Sequence, residues 1–464
     1  MKRRIKPYSK RFAVLLALST LALTAGCSLL DPVVSVGTPS PAMTQQITPQ
    51  TEKPTQTPAP KPSVTPVSSA LPEPSAMPEE ANGAGAYTIT ADISESKKIY
   101  YSIKPDENAL RAENGAIAGI DGASVEKRTG DASSLENALQ YGLNAALLVR
   151  ANAQLLLVNS DIAASPLGAG GVFACAGTAQ LQSSVVRATG DSAFALAAAM
   201  GGSIRAKETN LSTQGASSPA IFAGREGNVY LEGGMAATAG ANSPAILAEG
   251  GVTIESATLR ANNAEAVAVN GGSVTLTDAA VSGRMTDAAA GSQSAPYCVS
   301  LYRDKAQVNT QSLFSMTRGA LSAIRGDLFY VSNTKASIYL EGVALSLGEG
   351  RAFLHVSGND GSRGWGEAGK NGADCAVIAK DQTISGDIVV DELSAVSLTL
   401  RGESEYAGTI NTANTARVAK VTLEDDATWT LTGNAYLTAF TGRISSIVTN
   451  GFTVYVNGVA LTNE

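Results

Sequence analysis

The sequence predicts an all-β chain: a right-handed parallel β-helix with coils of about 21–25 residues, preceded by a disordered stalk. Three observations carry that expectation. Apolar residues recur at a fixed interval, short alternating strands are parted by Gly-rich corners, and a Pro/Thr/Ser-rich segment precedes both.

The interval is clearest where Ser-Pro-Ala-Ile occurs twice, at Ser218–Ile221 and again at Ser243–Ile246. Leu196, Ile221, Ile246 and Val267 then fall in one column, with Ile204, Val229, Val252 and Val274 in a second. Leu211, Met235, Leu259 and Val281 are expected to form a third, and Leu156 and Leu181 to extend the pattern upstream. Each unit holds strands such as NVYLE, GVTIESA or SVTLTD, separated by GG, EGG or NGG. A lone unit of this length cannot bury its inward side chains, whereas stacked units place Ile on Ile and Val on Val. Leucine-rich repeats share the period but need Leu-x-x-Leu-x-Leu with Asn, which is absent. Helical repeats need apolar spacings of three and four, against which the Gly, Thr and β-branched content argues. Abundant Ala and only 5% aromatic residues imply a narrow interior without room for large rings. After Gly283 the pattern loosens, and YTITADI near the start and the last hairpin-like stretch are the expected caps over open edges.

Residues 1–26 carry six basic side chains ahead of FAVLLALSTLALTAG, the form of a secretion signal. The run ends in Leu23-Thr24-Ala25-Gly26-Cys27, which resembles a bacterial lipobox and makes Cys27 the expected lipidation site; an ordinary signal peptide or an uncleaved anchor is the alternative. Removal of that segment takes the formal charge from −7 to about −13, which argues against nucleic-acid partners. The lipid on Cys27 is therefore the expected membrane attachment. Residues 27–84 hold twelve of the 18 prolines and read as a linker. Such a linker reaches between about 40 and 170 Å, depending on how extended it is. Residues 85–464 form the expected β-helix domain.

Several segments carry a family resemblance, among them ENALQYGLNAALLV, GGVFACAG, SPAIFAGREGNVYL, GDLFYVSNTKASIYL, GNDGSRGWGEAGKNGADC and WTLTGNAYLTAF. Together they resemble a family of secreted surface proteins from anaerobic Gram-positive bacteria, with β-helices of the pectate-lyase-like or adhesin-like kind. The resemblance implies display at the extracellular face of the cytoplasmic membrane and no particular reaction.

A catalytic constellation is harder to find. Glycoside hydrolysis needs two placed carboxylates. Asp425-Asp426 is the adjacent pair considered, at an expected solvated turn, and His355, the single histidine, belongs to no Gly-His-Gly and reads as a packed or turn residue. No catalytic residue, metal site or cofactor is assigned. Cys175, Cys298 and Cys375 lack CxxC spacing; Cys298 and Cys375 either pair across two loops or stay as buried thiols. The segment Asn359-Asp360-Gly361-Ser362-Arg363-Gly364-Trp365-Gly366 remains. Its Trp365 either stacks on a sugar ring while Asn359, Asp360 and Arg363 bond the hydroxyls, or covers the side of the rod, or Asp360 helps hold Ca²⁺. The leading expectation is a monomeric, lipid-anchored, non-catalytic protein that binds a polysaccharide, wall polymer or host-surface glycan. The alternatives are a polysaccharide lyase or glycoside hydrolase, and a structural part of the envelope.

Overall fold

The computed structural model describes residues 78–286, 296–304, 310–361 and 365–462. They form a parallel β-helix. One sheet has 12 strands, running from Ala84–Ile89 through Leu196–Ala199, Ile221–Ala223 and Ile246–Ala248 to Ile388–Val390. A second has 22 strands, to which several coils contribute two each, as Asn228–Glu232 and Met235–Thr238 do, while the C-terminal coils send their following strand into a four-stranded sheet. Folded structure begins ahead of residue 85: Ala81 is buried, and the Arg111 guanidinium donates to the Asn82 carbonyl at 2.8 Å. Cys27 and most of the 27–84 linker lie outside the described residues.

Register confirms two of the sequence columns. Leu196, Ile221, Ile246 and Val267 are consecutive partners in the first sheet, and Ile204, Val229, Val252 and Val274 in the second. The third column needs a correction of one residue. Leu211 pairs with Ala236 rather than Met235, and Ala236 is 0% exposed while Met235 is 38% exposed. Leu181 likewise pairs with Leu157, fully buried, and not with the 41% exposed Leu156. Strand side chains alternate faces, so a slip of one residue exchanges core for solvent, and periodicity alone does not detect it in a run as apolar as Leu155-Leu156-Leu157.

From the coil containing Gly122 to the one containing Gly342 the chain turns along the second sheet on a residue in the left-handed region, and at Asp381, Gly402 and Asp425 the equivalent corner leads from the second sheet into the separate four-stranded sheet. Asn159, Ser183, Glu208, Ser256 and Asp278 occupy this corner with φ from 48° to 52°, and glycine takes it at 122, 233, 342 and 402. The corner amide stays in the inter-coil ladder: Asn159 N donates to Gln182 O and Ser183 N to Lys207 O, both at 3.0 Å. Ser160 N then donates to Ser184 Oγ at 3.1 Å.

A second serine ladder explains the repeated tetrapeptide. Ser218 N donates to Ser243 Oγ at 2.9 Å, and Ala193 N to Ser218 Oγ at 3.0 Å, while each hydroxyl faces carbonyls of its own and the preceding coil. Each serine thus serves groups at the corner that enters the first sheet. The Ile three residues later fills the interior at the same level.

The interior is not uniformly narrow, which corrects the expectation drawn from composition. Phe314, Phe329 and Phe353 lie inside it, edge to face at 5.4 and 5.6 Å, and Tyr406 stacks with Trp429 further on. The few large rings of the chain are concentrated in the C-terminal coils, so a whole-chain percentage hides them. The polar tips are satisfied inside: Trp429 Nε1 donates to Gly408 O at 3.0 Å and Tyr406 OH to Thr409 O at 2.7 Å. At the C-terminal end Val454–Val456 turns back on Val459–Ala460, the one antiparallel pairing among the described residues. A short helix, Leu135–Tyr141, was not anticipated, although Ser134 caps its first turn and Gly142 ends it at φ 75°. Those two residues were its signal.

Two substitutions separate the ladder from the core. Ser243→Ala leaves the buried Ser218 amide without its acceptor and is expected to cost about 1–3 kcal/mol. Ile246→Asp places an unpaired charge in the interior and is expected to cost more, or to prevent folding. Thermal denaturation followed by far-UV circular dichroism checks both; an unchanged melt for Ile246→Asp contradicts the register.

Candidate functional site

The outer face of the first sheet changes character along the rod. Leu148, Phe173, Ala197 and Phe222 are successive partners in one outward row. All four are buried, with Leu139 and Tyr141 of the short helix packed against them. The same row continues through Leu247, Ala268, Ser300, Tyr330 and His355. Beyond Leu247, therefore, polar and aromatic side chains replace the apolar cover.

Two acidic residues meet there. Glu249 follows Ala248, whose partner is Val269, so it stands level with Asn270, and Asn270 pairs in turn with Tyr302. Asn270 Nδ2 donates to Glu249 Oε1 at 3.2 Å and to Asp304 Oδ2 at 3.1 Å, while its Oδ1 accepts from Asp304 N at 2.9 Å. One amide thus ties two carboxylates together. Burial, then the neighbouring Asp304, pushes the Glu249 carboxyl up from its ordinary value, against a smaller opposing effect of Arg225. Glu265 is buried at the turn that enters the strand Val267–Asn270 and accepts from Ser300 Oγ at 3.4 Å.

Beside the carboxylates lies an aromatic group. Tyr302 and Trp365 stack with centroids 3.8 Å apart and planes at 9°, and Tyr297 stacks on Tyr330 at 4.9 Å. Trp365 also contacts Tyr330, whose edge meets His355 at 6.0 Å. His355 lies in the strand Leu354–Val356, with Nδ1 3.3 Å from Asp327 Oδ2.

No family model, curated protein or solved structure matches the chain.

The loop residues singled out in the sequence are placed as follows. Trp365 is half-buried with one face covered by Tyr302. Asn359 is committed to the loop itself: its Nδ2 donates to Ser332 Oγ, and its Oδ1 accepts from Gly361 N and Asn371 Nδ2. Asp360 is half-buried in the same loop, and Arg363 lies outside the described residues. The polar groups that accompany the indole are therefore Glu249, Asn270 and Asp304, some sixty or more positions away in sequence. Asp425 sits in the left-handed corner and accepts from Gly402 N, and exposed Asp426 pairs with Arg443. Among the described residues no group of three or more His, Cys, Asp and Glu is placed to hold a metal ion. Cys175, Cys298 and Cys375 are all buried free thiols, and burial pushes Cys298 and Cys375 up to about 12.

The raised Glu249 carboxyl has a defined effect on stability. Its proton is held more tightly in the folded chain, so its contribution is complete below the ordinary carboxyl range and is lost as pH rises through the folded value. Glu249→Gln keeps the acceptor for Asn270 and removes the charge. The variant is expected to melt at a higher temperature than the parent at pH about 7, with the difference shrinking toward pH about 4. A pH series of calorimetric melts checks this, and a difference independent of pH contradicts it.

Proposed function

We propose that this protein is a non-catalytic, surface-displayed β-helix that binds a glycan on the outer face of its first sheet. Lipid on Cys27 attaches it to the outer face of the cytoplasmic membrane of a Gram-positive cell, and residues 27–84 act as the spacer. The Tyr302–Trp365 stack beside Glu249, Asn270 and Asp304 carries this reading. A planar aromatic platform matches the apolar face of a sugar ring, and convergent carboxylate and amide groups at its edge match the hydroxyls. The sheet fixes Asn270 and Tyr302 in register, which lowers the conformational cost of binding. The resemblance to β-helical surface proteins agrees with display outside the cell.

The test is affinity electrophoresis of the full-length chain in detergent solution, through gels containing plant, mucin or wall polysaccharides. Retardation by at least one polymer is expected, with Trp365→Ala and Tyr302→Ala each weakening it by about tenfold or more, or 1.4 kcal/mol. Migration unaltered by every polymer contradicts a glycan site and favours a structural role in the envelope.

A specific observation favours a second reading, a polysaccharide lyase or glycoside hydrolase. Glu249 and Asp304 share one amide donor, and burial raises the Glu249 carboxyl, which suits it to act as a general acid. Turnover of the retarding polymer that disappears in Glu249→Gln, with retardation retained, establishes the enzyme; retardation without turnover leaves the binding protein.

A further inference from the structure

Along the second sheet, outward lysines and arginines repeatedly meet a carboxylate of another coil. Lys207 pairs with Glu232, Arg318 with Asp278 and Lys380 with Glu341, each at 2.7 Å, and Arg401 with Glu424 at 2.9 Å. Lys335 and Lys420 break this pattern. Both are exposed, and neither ammonium has a carboxylate partner among the described residues. The cause is local. The register partner of Lys335 is Asp374, which is taken by Arg417, and the partners of Lys420 are the uncharged Ser397 and Ala439.

These two lysines flank a groove. A cavity of about 410 Å³ is floored by Ser337, Ala376 and Ser397, which are consecutive partners in the sheet, and lined by Lys335, Arg417 and Lys420. A second depression of about 300 Å³ shares Lys335, Asp374 and Arg417 and adds Arg303 and Lys370. Five cationic side chains and one carboxylate therefore line the two lobes, on a chain whose formal charge is −7. Lys370 is engaged by Glu367 and Arg417 by Asp374, while Arg303 donates to a carbonyl and keeps its charge, so the uncompensated charge lies on Lys335 and Lys420 with Arg303 at the second lobe. Three coil steps separate them, about 14 Å along the rod.

We propose that this groove binds an acidic polysaccharide. Two unpaired ammonium groups in an acidic surface select an anion, and their wide spacing suits a polymer that carries isolated charges on successive units. The small floor residues leave room for bulky rings. The dense charge of a nucleic acid suits the groove poorly, because the surrounding acidic surface repels it. No aromatic side chain lines either lobe, so recognition here is ionic, in contrast to the stacking platform on the first sheet.

The experiment immobilises chondroitin sulfate, hyaluronate, dextran and double-stranded DNA, and measures binding of the full-length chain in detergent solution over a salt series. Binding to at least one of the two acidic polysaccharides is expected, weakening as salt rises, with none to dextran and weaker binding to DNA. Chondroitin sulfate alone assigns sulfate as the recognised group, and binding to both polymers assigns carboxylate. The double variant Lys335→Ala, Lys420→Ala is expected to raise Kd by about tenfold. Both side chains are exposed, so its melt is expected to match the parent. Neither lysine lies on the first sheet, so loss of binding in the double variant separates failure of this groove from failure of the first-sheet site. Absence of binding to both acidic polymers, DNA binding of equal strength, or an affinity unchanged in the double variant overturns the proposal.

Discussion

The left-handed corner between the two second-sheet strands is the constraint on which the rest of the rod depends. A non-glycine residue held there costs about 1–3 kcal/mol, and the chain accepts it in coil after coil, at Asn159, Ser183, Glu208, Ser256 and Asp278. The gain is an unbroken hydrogen-bond ladder, since the corner amide donates to the next coil as a strand amide does. With the corner fixed, inward positions of one coil lie over those of the next, and Ile on Ile or Val on Val follows. Asn and Asp recur at such positions because they tolerate this region better than branched residues, and glycine occupies it freely.

The corner also determines where function can reside. Outward side chains come into line along the rod at a spacing of about 4.8 Å, so residues distant in sequence become neighbours without any loop to bring them together. Glu249, Asn270 and Tyr302 are such a set, and Asp304 and Trp365 reach it from the segments that follow. Lys335 and Lys420 belong to another. The two sets lie on different sheets and differ in character, one acidic and aromatic, the other basic and without rings.

The architecture was legible in the sequence because identical residues return at the same level, as Ser218 and Ser243 do. What periodicity left open was phase. In Leu155-Leu156-Leu157 and Met235-Ala236, either neighbour fits the spacing, and the inward one is decided by the corner conformation, which composition does not display. The candidate site was less legible. Trp365 was recognisable as a rare aromatic in a Gly-rich loop, but its stacking partner Tyr302 lies across an irregular coil, where spacing had ceased to guide the alignment. Glu249 and Asn270 each fall three residues past the Ile246–Val267 column, and carrying that offset along the column would have placed them together. Asn359 looked available for a ligand because its bonds to Ser332 and Asn371 join parts of the chain that no local pattern connects.

The thiols carry a consequence for where such a rod can be made and kept. Cys175, Cys298 and Cys375 are separate and enclosed, and none takes part in a covalent cross-link. Cohesion among the described coils therefore comes from non-covalent contacts alone, with no bond that a reductant can cleave and none that an oxidant must first supply. Assembly of this domain requires no thiol oxidase or isomerase, and its melting temperature is indifferent to the redox potential of the medium in which it stands.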